Sequence, residues 1–197
     1  MKLLRSILAC LACASALVAG PAFGGGGFDT ISLSGGAKLS DFKTVHVAPV
    51  QLALSNGGEY RRGGNSARPV DPAIAQYKAV DFQREMLEAL VKSRSLSKTP
   101  GPGILTISAT LTKLEPNGRT EEEYKRSPSL SPMSSARVDG QGAAMRIELS
   151  ENGVSLGVIS DDFNKNNRNR PSDRIWDEVD EAFKTWAAGL AELIASN

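Results

Sequence analysis

Several stretches of the chain alternate or cycle strongly enough to name their secondary structure. Val45 and Val47 alternate with Thr44 and His46, the period of a half-buried strand. Pro49 closes that strand, because proline has no amide to give to a ladder. Leu105, Ile107, Ala109 and Leu111 alternate with Thr106, Ser108, Thr110 and Thr112, which marks a clear second strand. In a third, Ala143, Met145, Ile147 and Leu149 face one way while Arg146 and Glu148 face the other. Asn152-Gly153 then signals a hairpin, and the return strand reads with Val154, Leu156 and Val158 on its apolar side.

Two segments step by three or four instead. Asp71-Pro72 offers a cap acceptor followed by proline at the first helical position, and Phe82, Met86 and Leu90 form a stripe beyond it, flanked by Val80, Leu87 and Val91. That helix reads to about Ser95. Near the C-terminus Trp176, Val179, Phe183, Trp186, Leu190 and Ile194 form a longer stripe. The order is β-α-β-β-β-α, with room for an edge strand over residues 28–33. An α+β fold follows: a mainly antiparallel sheet with both amphipathic helices packed on one face, since that buries both stripes at once. If each element crosses the sheet once, the Pro100-Gly101-Pro102-Gly103 turn and the Asn152-Gly153 turn share one end. The long loops 54–71, 115–135 and 161–172 then share the other. Loops of that length in a small domain tend to carry function.

The start of the chain follows a different rule. Lys2 and Arg5 precede an apolar run from Ile7 to Ala19, and Ala22-Phe23-Gly24 supplies small residues at a processing site, so residues 1–24 read as a signal peptide. Residues 25–41 form a Gly-rich lead-in, flexible apart from that edge strand. Residues 42–197 suit one domain. The formal net charge is +1; losing Lys2 and Arg5 with the leader takes it to −1. A balance so close to neutral argues against a dedicated nucleic-acid binder. Both cysteines, Cys10 and Cys13, go with the leader, which removes disulfides, thiolate catalysis and cysteine metal sites. A lipid anchor at either cysteine is the rival reading; neither has a proper lipobox in front of it. No later stretch has transmembrane length. Export to the periplasm or outer membrane of a Gram-negative bacterium is the expectation.

Candidate chemistry is sparse. His46 is the one histidine, set in a strand with no nucleophile-elbow sequence, and reads as a solvent-face side chain. Glu121-Glu122-Glu123 and Arg61-Arg62 read as solvated loop surface. A sharper pattern is Asp162, Asn164, Asn166 and Asp173, which occupy positions one, three, five and twelve of an EF-hand-type calcium loop. Against calcium stand Asn167 where glycine makes the turn, a strand where the entering helix belongs, and Arg168 and Arg170 nearby. The plainer reading is an Asn-rich loop ending in Asp173 as the helix N-cap.

Three stretches resemble domain-of-unknown-function family 3313: Leu39 to Val50, Gly101 to Leu111 and Trp176 to Trp186. The resemblance implies a bacterial exported protein, often a lipoprotein, with no assigned activity and no functional residues to carry over. The expectation is therefore a non-catalytic cell-envelope module that binds an envelope protein or cell-surface component through its loops. The alternatives are a small secreted hydrolase using loop carboxylates, or a calcium-binding module.

Overall fold

The computed structural model describes residues 27–34, 36–54, 70–115, 142–163 and 176–197. Their strands are β1 (Thr30–Leu33), β2 (Thr44–Val47), β3 (Gln51–Leu52), β4 (Ser95–Leu96), β5 (Ile104–Glu115), β6 (Gly142–Glu151) and β7 (Val154–Phe163). The helices are α1 (Pro72–Leu90) and α2 (Asp177–Ser196), with a turn of 3-10 helix at Leu39–Asp41. The fold is α+β. One seven-stranded sheet runs in the order β1-β7-β6-β5-β2-β4, with β3 also paired to β5.

β5, β6 and β7 form an antiparallel meander, and β1 adds antiparallel to β7 at the edge. β2 and β3 pair parallel with β5, and β4 parallel with β2. The parallel half has a simple cause. α1 carries the chain back along the sheet, so β5 must start level with β2, as Thr44 opposite Ile104 shows. The hairpin is as the sequence asks: Asn152 and Gly153 both take positive φ, 47° and 82°, the backbone of a type I′ turn.

α1 starts where Asp71 accepts a hydrogen bond from the Ala73 amide at 2.8 Å, with Pro72 in the first turn. It ends at Leu90, earlier than its apolar pattern suggests. The chain then turns, and Ser95 and Leu96 leave the helix to extend the sheet beside β2. α2 starts at Asp177 with Trp176 in the cap position and no side-chain cap bond, whereas Asp173, which the sequence suggests as the cap, lies outside the described residues. Asp177, Glu178 and Asp180 in its first turn instead complement the positive end of the helix dipole. At the far end Arg94 Nη2 and the Ser40 amide donate to the carbonyls of Ile194 and Asn197.

Both helices cover the same face of the sheet. Phe82, Phe183 and Trp186 meet at its centre: the two phenyl rings stack at 4.9 Å, and the indole stands edge-on to Phe82 at 5.6 Å. Beneath them lie Leu105, Ile107, Ala109, Leu111, Met145, Ile147, Leu149 and Ile159. Each large side chain buried there contributes roughly 1.5–3 kcal/mol, which makes this layer the main stabiliser. The phase of β7 differs from the sequence reading. Gly157, Ile159 and Asp161 face the helices, whereas Leu156 and Val158 turn to the other face and Val154 is exposed. A register shift between Leu149 and Ser150 accompanies that change.

Candidate functional site

The register decides which ends coincide. Glu115 stands opposite Gly142, and Ala143 opposite Phe163, so β5 leaves, β6 enters and β7 leaves at one end of the sheet. β3 runs toward the same end, where the Ala53 amide donates to the Leu111 carbonyl. Both helices start there too. Lys78 of α1 reaches Asp180 of α2 at 2.7 Å and lies 5.3 Å from the centre of the Trp176 ring. The chain segments 55–69, 116–141 and 164–175 therefore all depart from, and return to, this end. The two tight turns lie at the other, where Glu151 accepts from the Gly103 amide at 2.8 Å.

A bulge positions the charged groups on this rim. Register in β5 shifts between Leu111 and Lys113, so the parity of the strand reverses at Thr112. Leu114 enters the core, and Lys113 and Glu115 turn to the face opposite the helices. There Lys113 Nζ lies 3.2 Å from Asp162 and 3.6 Å from Glu115. Burial pushes the Glu115 carboxyl above its ordinary range, with Lys113 opposing the shift. A spacing of three between Leu111 and Leu114, inside a strand of period two, is the sequence signal of this bulge.

On the helix side a second carboxylate has no counterpart in the sequence reading. Asp161 is buried, 7% exposed, beneath α2. Its Oδ2 accepts from Trp186 Nε1 at 2.6 Å and its Oδ1 from the Asp29 amide at 2.8 Å. Asp29 returns the bond, its Oδ2 accepting from the Asp162 amide at 3.0 Å. Burial raises the Asp161 pKa, and the bonds from Trp186 and Asp29 offset part of the shift. The arrangement pins the start of β1 to the end of β7 and both to α2. It binds structure, with each carboxylate oxygen accepting from a protein donor.

Of the calcium pattern, Asp162 lies within β7 opposite Ala144, with its carboxylate on Lys113. Asn164, Asn166 and Asp173 lie outside the described residues, as do Glu121-Glu122-Glu123 and Arg61-Arg62. Among the described residues no group of three or more His, Cys, Asp or Glu could hold a metal ion. His46 is half-buried rather than solvated, its Nδ1 3.1 Å from the Ser97 carbonyl oxygen. No described helix is long and apolar enough to cross a membrane.

No protein-family model and no curated protein matches the chain. Two solved structures are similar at low identity. One is a PelC dodecamer from Paraburkholderia phytofirmans: 12% identity, TM-score 0.39, covering 85% of this chain and 98% of that one. The other is a DUF4136 family protein from Bacteroides thetaiotaomicron: 11% identity, TM-score 0.40, covering 84% and 95%.

Proposed function

We propose that the protein is an exported, non-catalytic module of the bacterial cell envelope that binds an envelope protein or cell-surface component through loops 54–71, 115–135 and 161–172, less Glu115, which belongs to β5, and residues 161–163, which belong to β7. One observation carries the reading: the strand registers and both helix starts gather every long connection at one end of a well-packed sheet. Rigid scaffolds that present grouped connections at one rim are suited to recognition. The apolar leader of residues 1–24 supports export, and membership in family 3313 belongs to the same proposal.

The composition of two of the three connections suggests the chemistry of the partner, segment 116–141 being balanced with four charges of each sign. Segment 55–69 carries Arg61, Arg62 and Arg68 against Glu59, and segment 164–175 carries Lys165, Arg168, Arg170 and Arg174 against Asp173. An excess of guanidinium groups favours a partner with an acidic surface.

Photocrosslinking in the native envelope tests the proposal. A crosslinking residue placed at Tyr60 or Tyr124 should capture a discrete partner, and one at exposed Lys184 on α2 should not. Equal capture from all three positions, or none from the loops, would reject it.

A further inference from the structure

No described element packs on the face of the sheet opposite the helices. Thr106, Ser108 and Thr110 of β5, Ser160 of β7 and Ser32 of β1 lie half-buried across it. At its centre, on β6, stand two exposed charges of opposite sign, Arg146 and Glu148. Arg146 sits between Thr110 and Ser160, and Glu148 between Ser108 and Val158. Among the described residues neither charge takes part in an ion pair.

Two opposite charges, one step apart on the same face of a central strand, are complementary to themselves. We propose that this face pairs with the same face of a second copy of the chain. The two-fold axis lies between the two sheets, across the strands and level with Ile147. Rotation about it lays each β6 antiparallel over the other and sets Arg146 of each copy above Glu148 of its mate. The Ser, Thr and Val158 side chains flanking the two charges are short, so the sheets can approach closely while Arg and Glu reach across. Four strands at about 4.8 Å spacing, over roughly six residues, make a patch about 20 Å on a side, or about 400 Å² per copy. Two such patches bury about 800 Å² together, below the roughly 1,200 Å² of a standard specific interface, so the dimer is weak and reversible, with the ion pairs setting its register.

Sedimentation velocity of the purified protein over a range of concentration and salt tests this, with Arg146→Glu, Glu148→Arg and the double exchange R146E/E148R. The wild type should dimerise reversibly, less so at high salt. Each single reversal places like charges opposite each other and should weaken the dimer by roughly tenfold or more. The double exchange should restore it. An equimolar mixture of the two single variants should form a mixed dimer, which separates lost pairing from lost folding. A wild type that stays monomeric, single variants that dimerise as well as wild type, or a double exchange and a mixture that both fail to recover would overturn the proposal.

Discussion

Trp186 Nε1 donates to Asp161 Oδ2 at 2.6 Å, joining the middle of α2 to the end of β7 just before the chain enters segment 164–175. Both groups are buried, and Asp161 is the one charged side chain among the buried described residues. The bond makes the end of β7 part of the helix layer, and through the Asp29 amide it extends to the edge strand β1.

Asp161→Ala leaves the Trp186 and Asp29 N–H groups without an acceptor. Each orphaned donor costs about 1–3 kcal/mol, so the variant should lose roughly 2–6 kcal/mol in urea unfolding. Asp161→Asn keeps an acceptor oxygen and should lose less. Equal stability of wild type and Asp161→Ala would show that the bond contributes nothing.

Gly157 is required by the approach of β1. A Cβ there would lie 2.6 Å from Leu33 Cδ2 and 2.7 Å from the Ser32 carbonyl oxygen, one contact being backbone. Gly157→Ala should push β1 off the sheet at a cost of about 1–3 kcal/mol. Hydrogen exchange should speed up at Ser32 and Ser34, whose amides lie along that pairing, while the β5–β6 amides stay protected. Uniform protection would contradict the close contact.

Acid should strengthen the contribution of two carboxyls, buried Asp161 and half-buried Glu115. Asp161 and Glu115 are both raised by burial, so between the ordinary carboxylate pKa and the raised one the folded chain holds protons that the unfolded chain has released. Their stabilising contribution is complete below the unfolded pKa and is lost as pH rises through the folded value. The stability of wild type relative to an Asp161→Asn, Glu115→Gln double variant should therefore rise as pH falls from neutral toward about 4. Trp186→Phe removes a bond that favours the carboxylate, so the Asp161 pKa should climb further. A relative stability that falls with acid would reverse the assignment.

Phe82 joins the two helices through its contacts with Phe183 and Trp186. Phe82→Ala should cost about 3–5 kcal/mol by thermal or chemical unfolding. A loss well under 1 kcal/mol would mean that the helix layer is not packed as described.

What the sequence allowed to be read follows the physics of each element. β5, β6 and both helices were legible because their apolar positions repeat with one period and bury one face. β7 was not. Its residues Val154 to Asp161 alternate in either phase, and Gly157 and Asp161 make the buried phase look the more polar. Only pairing with β6 and with Trp186 selects it. β3 and β4 are two residues each, too short for any period, and exist because β5 and β2 offer them edges. The Lys113–Glu115–Asp162 rim depends on the bulge at Thr112, which the spacing of Leu111 and Leu114 announces once a bulge is sought. The coincidence of the long connections at one end was legible, because it needs only the order of elements and their crossing directions. Asn164, Asn166 and Asp173 lie outside the described residues, so the calcium pattern stands as the sequence left it.

In the proposed function, recognition resides in the connections while the sheet and helices supply the scaffold. Replacing residues 117–132 by a short Gly-Ser link tests it most directly, with thermal unfolding and affinity capture from the native envelope measured side by side. The expected outcome is an unchanged melting transition and loss of the captured partner. A variant that keeps its partner, or a scaffold that collapses without the segment, would contradict it.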